Sequence, residues 1–456
     1  MNPIARFLST LCLAVLFQSA AQSATAEQIL KNGLKVIVKE DHRSPVVVSM
    51  VWYKAGSIDE VNGTTGVAHV LEHMMFKGTK KVPGGEFSKL IAQAGGRDNA
   101  FTGQDYTGYF QQLHRSQLEL AFRLEADRMQ NLMLSRAEFE KEIKVVMEER
   151  RWRTDDKPQA LVYEQLMAAS FEAHPYRRPV IGWMNDLENM TVEDAAKWYH
   201  TWYAPNNATL VVVGDVKPAA VFFLTQRYFG SIKAKTLPVR KPQLEPQQTG
   251  VRRVTVKAPA KLPYLMMSYH VAVLRDPVRD WEPYALELLG GVLSGNESAR
   301  LNRSLVRESQ IASSAGASYD GTERGPGSFY FDGVPSEGKS VADLEAGIRG
   351  ELQKIIADGV TDEELNRVKA QVIANQVFER DSVMEQARQI GTWEMAGLSY
   401  KTLDILVDKL KAVTAEQVQA VAKKYFNDDN LTVAVLDPQP LENKKPIQAP
   451  KGLRHD

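Results

Sequence analysis

The sequence predicts an α+β fold built from two related domains. The chain has 456 residues, more than one hydrophobic core usually supports, so two or more domains are expected. Short β-branched runs bounded by turn residues, such as "VVVSMVWYKAGS" and "ATLVVVGDV", are interspersed with helical patterns. The third observation is an internal repeat, in which the segment starting at Thr191 aligns without gaps with the segment starting at Thr414.

The two repeated segments read "TVEDAAKWYHTWYAPNNATLVVVGD" and "TAEQVQAVAKKYFNDDNLTVAVLD". Each opens with a threonine suited to cap a helix, Thr191 or Thr414, and has Asp194 or Gln417 three residues later. An amphipathic helix, an Asn-containing turn and an apolar strand follow. Chance similarity of two generic helix–turn–strand units is the alternative, and we prefer an internal duplication.

The elements can be followed in order along the chain. Strands are predicted at "GLKVIVKE" and "VVVSMVWYKAGS", a helix around residues 66–76, a strand at "DYTGYFQQL", a long helix over residues 135–151 and a buried strand over 208–216. The proline- and glutamine-rich stretch "TLPVRKPQLEPQQTG" reads as a linker, after which two strands and a helix through "WEPYALELLGGVL" follow. We therefore expect domains at 27–236 and 251–438, a linker at 237–250 and a loose tail at 439–456.

The N-terminus has the pattern of a secretory signal peptide. One early charge at Arg6 precedes an apolar run, and small residues end in "ATA", so cleavage is expected after Ala26. A membrane anchor is the alternative, but the run is too short to span a bilayer. We expect export to the periplasm or beyond, residues 1–26 being removed, with no stable membrane anchor.

Composition excludes several classes of site. Lys plus Arg and Asp plus Glu are balanced at 56 each, which argues against a nucleic-acid partner or a polybasic membrane surface. The single cysteine, Cys12, lies inside the signal. The mature chain therefore has no disulfide, cysteine nucleophile or thiolate ligand, and a metal would need nitrogen and oxygen donors.

The stretch "GVAHVLEHMMFKGT" carries the main functional motif. His69 and His73 are four residues apart, so on a helix their imidazoles face the same point, as a metal clamp requires. Glu72 lies beside that face, close enough to reach a water at the metal without being a ligand. The pattern H-x-x-E-H is the inverted form of the zinc-peptidase motif H-E-x-x-H.

A catalytic zinc site needs a third protein ligand, and a carboxylate is expected here. The helix "SRAEFEKEIKVVMEERRWRTDD" offers Glu142 and Glu149 at the two ends of a stripe that also contains Val145 and Val146. The alternative is that Glu142 and Glu149 are ordinary solvent-exposed charges on a helix. A stripe that is half acidic and half apolar suggests instead that its carboxylates meet a positive charge inside the protein.

The segment from "NGLKVIVKED" to "LEHMMFKGT" closely resembles the start of the M16, or pitrilysin-type, zinc peptidases, especially the short bacterial members similar to mitochondrial processing peptidase. The family pattern continues with a glutamate in an E-E pair 76 residues after the second histidine, and Glu149 in "VVMEER" occupies that place. "HPYRRPVIG" and "GVLSGNESARL" also resemble family segments. The resemblance implies two homologous domains of mostly antiparallel sheet packed with helices, a LuxS/MPP-like metallohydrolase fold forming half of a clamshell.

The resemblance also implies roles for individual residues. One Zn²⁺ per chain would be held by His69, His73 and Glu149, with Glu72 as general base and Glu142 supporting a ligand. "GGRDNAFTGQDYTGYF" resembles the segment that supplies an edge strand for the peptide substrate, here at Asn99 and Ala100.

One segment departs from the family pattern. The second half usually carries an Arg–Tyr pair that contacts substrate, whereas this chain has "LVRESQIASSAGASYD". Arg307 matches the arginine, Ser313 stands where tyrosine is expected, and Tyr319 is a candidate substitute. We therefore expect a dimer, with a distinct M16-like subunit supplying the Arg/Tyr half of the site, or otherwise a homodimer.

Two functions follow from these patterns. The first is an exported zinc endopeptidase acting on peptides or unstructured segments. The alternative is a non-catalytic structural or assembly subunit of an M16-like heterodimer. The complete set formed by His69, Glu72, His73 and Glu149 favours the enzyme.

Overall fold

The computed structural model describes residues 25–441 and contains two mixed β-sheets surrounded by helices. The predicted signal peptide lies almost entirely outside the described residues. The strands of the first sheet are β1 Thr25–Ile29, β2 Lys35–Glu40, β3 Val46–Tyr53, β4 Arg97–Thr102, β5 Thr107–His114 and β6 Ala208–Gly214. The strands of the second sheet are β7 Arg252–Pro259, β8 Tyr264–Val271, β9 Ala312–Tyr319, β10 Gly327–Pro335 and β11 Leu431–Gln439.

The two sheets repeat one topology. The first has the order β1-β2-β6-β3-β5-β4, and the second has the order β7-β11-β8-β10-β9. In each sheet one neighbouring pair is parallel, β2 with β6 and β7 with β11, and the remaining pairs are antiparallel. The prediction of an α+β fold with two homologous, mostly antiparallel halves is confirmed. Strand β4 forms one edge of the first sheet, and β9 holds the corresponding place in the second.

Helices cover both faces of each sheet. The first seven are α1 Val67–Met74, α2 Glu86–Gln93, α3 Leu118–Asn131, α4 Arg136–Arg150, α5 Pro158–Ser170, α6 Met184–Asn189 and α7 Val192–Trp202. The others are α8 Pro218–Phe229, α9 Glu282–Ser294, α10 Val341–Asp358, α11 Asp362–Glu379, α12 Val383–Met395, α13 Thr402–Ala412 and α14 Ala415–Tyr425. Single turns occupy Ser57–Asp59, Arg115–Gln117, Pro175–Arg177, Pro205–Asn207 and Asp428–Asn430, and π-helical turns occupy Arg151–Asp155 and Asn302–Glu308.

The inner face of each sheet packs on helices of its own half. Alternate residues of β3, including Val47, Val51 and Tyr53, join α1, α3, α7 and α8 in the first core. The second core combines β8, β10 and β11 with helices α9, α10, α11 and α14. Because side chains alternate across a strand, the residues between these positions face the opposite side.

The outer faces of the sheets are covered by exchanged helices. Helix α12, from the second half, packs on β3 and β6, where Ile390 meets Trp52 and Val211 in one apolar cluster. Helix α5, from the first half, packs on β7, β8 and β11, where Leu166 meets Ala434. Each half therefore completes the core of the other.

The helix caps of the repeat form as the sequence predicts. The hydroxyl of Thr191 accepts a hydrogen bond from the backbone of Asp194, whose carboxylate accepts from the Thr191 backbone in return. Thr414 and Gln417 form the same reciprocal pair at the start of α14. Helices α7 and α14 lead into the equivalent strands β6 and β11.

The ends of the predicted domains differ slightly from the observed elements. Strand β1 begins at Thr25, two residues before the expected cleavage point. Strand β11 runs through Gln439, which we assigned to the tail, because it continues its parallel pairing with β7 as far as Pro259. The expected linker lies within the irregular stretch between α8 and β7. Within residues 25–441, no helix has both the length and the apolar character needed to cross a bilayer.

Candidate metal centre

Helix α1, which carries the H-x-x-E-H motif, is held at its N-terminus by a buried carboxylate. Glu60 accepts hydrogen bonds from the backbone of Gly66 at 2.8 Å and Ala68 at 2.9 Å, satisfying amides that have no partner within the helix. Burial raises the pKa of Glu60 to about 8. Gly66 has φ +86°, and a Cβ there would lie 2.5 Å from the carbonyl oxygen of Ile181, so this start of the helix requires glycine.

Three predicted ligands converge between α1 and α4. One donor atom each from His69, His73 and Glu149 lies within 4.8 Å of the others, and all three residues are buried. Oε2 of Glu149 is 3.8 Å from Nε2 of His69 and 3.3 Å from Nε2 of His73. Among residues 25–441, this is the only group of three such side chains that meets this geometric criterion.

The donor set fits zinc in chemistry and spacing. Zinc–ligand distances of about 2.0–2.2 Å in tetrahedral geometry place neighbouring donor atoms about 3.4 Å apart. The two separations from Glu149, 3.3 and 3.8 Å, lie on either side of that value. Two imidazoles and one carboxylate also match the protein ligands of known catalytic zinc sites.

Glu142 contacts the far side of one histidine. Nδ1 of His73 donates to Oε1 of Glu142 at 2.9 Å, while the other carboxylate oxygen pairs with the ammonium of Lys77. This bond leaves Nε2 of His73 facing Glu149, the orientation needed for metal binding. Burial by itself lowers the pKa of His73, but bonds to Glu142 and Glu149 outweigh it and raise this pKa to about 9. The surroundings therefore stabilise added positive charge.

Glu149 is held ionised by its neighbours. Burial raises its pKa, but the bond to His73 and the charges of His69, His73 and Arg153 lower it to about 2. Nε of Arg153 lies 2.9 Å from Oε1 of Glu149. This pairing leaves Oε2 directed at the two histidines.

Glu72 lies beside the three ligands and connects α1 to the edge of the sheet. Its side chain is fully buried, and the hydroxyl of Thr102 donates to its Oε2 at 2.5 Å. Thr102 is the last residue of β4. The carboxylate of Glu72 is thus oriented by the strand that also carries Asn99 and Ala100.

A cavity of about 660 Å³ opens over this cluster. Its wall includes His69, Glu72 and Glu149 together with Asn99 and Ala100. The second half contributes the start of α12, through Met384, Glu385 and Arg388. A segment in the cavity would therefore contact the edge strand and the metal cluster at the same time.

The structure does not bring Arg307 into this cavity. Arg307 is exposed on the turn after α9, and Ser313 is exposed on the edge strand β9, where its hydroxyl donates to the Val334 carbonyl. The hydroxyl of Tyr319 donates to the carbonyl of Ala272 at 2.7 Å, and its ring stacks on Phe329.

Two residues of the site were missed in the sequence. Arg153 lies four residues after Glu149, a spacing that predicts contact on a helix. Thr102 gave no signal, because its contact with Glu72 depends on how β4 packs against α1.

Comparison with known proteins agrees with this fold. Residues 35–183 match the sequence profile of the insulinase family, peptidase family M16, and residues 189–372 match the peptidase M16 inactive domain. The chain belongs to peptidase family M16. Among its relatives, the zinc protease PqqE of Helicobacter pylori is 32% identical over 90% of this chain and 92% of that protein. The uncharacterized zinc protease YmxG of Bacillus subtilis is 26% identical over 90% and 97%.

Solved structures of relatives share the fold. A protease from Helicobacter pylori superposes with a TM-score of 0.86 at 31% identity, covering 91% of this chain and all of that one. The periplasmic protease PqqL of Escherichia coli gives a TM-score of 0.77 at 18% identity. That comparison covers 91% of this chain but only 48% of PqqL, and the first half of PqqL matches separately.

Proposed function

We propose that this chain is an exported zinc endopeptidase that hydrolyses peptides or unstructured protein segments. The observation that carries the proposal is the convergence of His69, His73 and Glu149 on one point, with Glu72 beside them. One zinc ion per chain would be held by these three side chains. Zinc bound there would lower the pKa of water and polarise a carbonyl group.

Glu72 would act as the general base. Its carboxylate lines the cavity, and the hydroxyl of Thr102 donates to its Oε2. The carboxylate accepts a proton from the attacking water and returns it to the amine that leaves when the peptide bond breaks. Glu142 would not contact substrate but would keep Nε2 of His73 directed at the metal position.

The substrate would bind as an extended strand along β4. An edge strand can pair with a peptide through main-chain hydrogen bonds, without requiring a particular side-chain sequence. Asn99 and Ala100 lie on this strand and also line the cavity. Addition of a peptide strand there would carry a scissile bond past Glu72 and the metal position.

A second M16-like subunit would complete the site. Arg307 and Ser313 are exposed on the second half and do not line the cavity of their own chain. A partner is supported by PqqL, in which about twice the length of this chain forms one protein. We propose that the partner supplies the missing Arg/Tyr pair, with a homodimer as the alternative.

The function is tested by replacing Glu72. Zinc content and hydrolysis of an unstructured peptide are measured for the parent and for Glu72→Gln, alone and with the subunit that co-purifies from the host. The variant should keep its zinc and lose about 10²–10⁴-fold in hydrolysis rate. Glu148→Gln, which alters the exposed pair with Arg151, is the control and should cleave normally.

Other outcomes separate the alternatives. If Glu72→Gln cleaves like the parent, Glu72 is not the base. If the parent binds zinc but cleaves nothing, even with its partner, the chain is the structural subunit. N-terminal sequencing of the protein recovered from the periplasm or medium tests export, and a mature end at Glu27 is expected.

A further inference from the structure

The loop between β9 and β10, in the half without metal ligands, contacts the turn that follows β4, the strand on which we propose that substrate binds. Its residue Arg324 donates from its backbone to Oδ2 of Asp105 and from its guanidinium to the carbonyl of Asp105, both at 2.9 Å. The same guanidinium bonds Oδ2 of Asp59 at 3.2 Å. One side chain of the second half therefore ties together two loops of the first.

Both acidic partners are inaccessible to solvent. Asp105 is 6% exposed as a residue, and the side chains of Asp59 and Arg324 are 4% and 11% exposed. The hydroxyl of Tyr176 donates to Oδ1 of Asp105 at 2.7 Å and accepts from the backbone of Gly325 at 2.8 Å. Hydrogen bonds to charged groups in such surroundings are among the stronger ones in proteins.

The loop that presents Arg324 is itself braced. The guanidinium of Arg275 donates to three consecutive carbonyls, those of Glu323, Arg324 and Gly325, at 2.6, 3.0 and 2.6 Å. A Cβ at Gly325 would lie 2.5 Å from the rings of His174 and Tyr176. The loop is consequently held against the first half rather than projecting into solvent.

Asp105 belongs to the turn that joins β4 to β5. This turn is closed by a bond from Gly103 to the carbonyl of Tyr106, and the backbone of Ile58 donates to Gln104 at 2.9 Å. The turn follows directly on Thr102, whose hydroxyl holds Glu72. Movement of the turn would therefore shift the end of β4 and the group that orients the base.

We propose that Arg324 is a positioning residue for the peptidase reaction. By fixing the β4–β5 turn, it sets both the strand on which substrate pairs and the hydrogen bond from Thr102 to Glu72. Arg324 thus contributes to the metal-bearing site of its own chain without itself lining the cavity. This inference rests on the proposed function.

The test compares two arginines of similar burial in the full, zinc-loaded chain. Arg324→Ala removes the guanidinium bonds to Asp59 and to the carbonyl of Asp105, and it keeps the backbone bond to Oδ2 of Asp105. Arg300→Ala is the control, because Arg300 is 13% exposed and bonds both oxygens of Glu364 entirely within the second half. Hydrogen–deuterium exchange of residues 97–112 is measured in both, together with bound zinc.

We expect Arg324→Ala to exchange about tenfold faster in this hairpin than the parent, since loss of hydrogen bonds to charged groups shifts local opening by at least that factor. Arg300→Ala should leave the hairpin unchanged, and both variants should keep their zinc. Asp105→Asn, which retains the shape of the turn, should give a smaller acceleration and serves if Arg324→Ala does not fold.

Peptide hydrolysis supplies the second readout. A smaller folded fraction lowers apparent kcat and leaves KM unchanged, whereas a displaced substrate strand raises KM and lowers kcat together. We expect the second pattern for Arg324→Ala and partial recovery in Arg324→Lys. Unchanged hairpin exchange, or equal acceleration in Arg300→Ala, overturns the inference. An inactive parent overturns the proposed function instead, while exchange still decides whether Arg324 braces the turn.

Discussion

The contact between Glu142 and His73 allows a quantitative prediction about metal affinity. In Glu142→Gln the side chain keeps its size but has one acceptor oxygen in place of two. Both carboxylate oxygens are used in the parent, one by Nδ1 of His73 and the other by Lys77. The amide can therefore accept from only one of the two, and its NH₂ group must face the other donor.

The expected cost follows from this lost acceptor. Glu142 is 8% exposed, so water replaces little of the missing interaction. A hydrogen bond to a charged group contributes about 1.5–3 kcal/mol, and changing a group that orients a metal ligand typically lowers metal affinity about 10–100-fold. We therefore expect the zinc dissociation constant to rise about 10–100-fold, which corresponds to about 1.4–2.8 kcal/mol.

The assay is a competition titration with a zinc chelator at fixed pH, with circular dichroism to confirm folding. Glu138→Gln is the matched control, because Glu138 lies one turn earlier on α4 and its carboxylate pairs with the exposed Lys141. Its zinc affinity should equal that of the parent. If Glu142→Gln binds zinc within about twofold of the parent, Glu142 does not support the ligand and the reasoning is wrong.

Three further predictions concern the base, the pH dependence and the packing between halves. Thr102→Val should lower kcat about tenfold by removing one hydrogen bond to the base, and Thr102→Ser should restore most of it in the peptide assay. In the zinc-free protein His73 has a pKa of about 9, so below that pH its ring carries a proton that must leave before the metal binds. Zinc affinity should therefore increase about tenfold per pH unit as the pH rises towards about 9. Gly391→Ala should lower the free energy of unfolding by about 1–3 kcal/mol or more, because the added Cβ would lie 1.9 Å from the ring of Trp52. Denaturant titration measures this free energy, and Gly350→Ala is the control.

A specific result would contradict each of these three predictions. Equal kcat in Thr102→Val and the parent would show that the bond to Glu72 has no role in the reaction. Zinc affinity that does not change between pH 6.5 and 8.5 would show that His73 holds no proton in the zinc-free protein. Apart from the backbone of its own helix, Gly350 has no heavy atom within 4 Å of the position a Cβ would take, so alanine there should stabilise α10 by about 0.5–1 kcal/mol. Equal effects at both glycines would contradict the packing of α12.

The metal cluster could be predicted from the sequence because helical spacing determines most of it. His69 and His73 share one face of α1 regardless of what surrounds the helix. Glu142 and Glu149 are two turns apart on α4. The spacing of 76 residues between His73 and Glu149, which matches the family pattern, identifies α4 as the helix that faces α1. The repeat was equally visible, since its capping pairs are local in sequence.

The contacts that orient the cluster could not be predicted in this way. Thr102 reaches Glu72 across 30 positions, and Arg324 reaches Asp105 across 219. Such contacts depend on how sheets and loops pack, and neither residue lies in a pattern that distinguishes it from other polar residues. The placement of α12 over the first sheet is likewise a property of the folded chain.

The exchange of α5 and α12 has a consequence for how this protein can be divided. A fragment ending at the irregular stretch after α8 would keep α5 but lose the second sheet, on which α5 packs. It would also lose α12 and so expose Trp52 and its neighbours to water. Large exposed apolar surfaces promote aggregation, so neither half should be obtainable alone as a well-behaved protein. A chain cut by protease within that stretch should instead remain one particle, with two pieces that separate only on denaturation. The two halves repeat one topology, yet we expect them to be inseparable in folding.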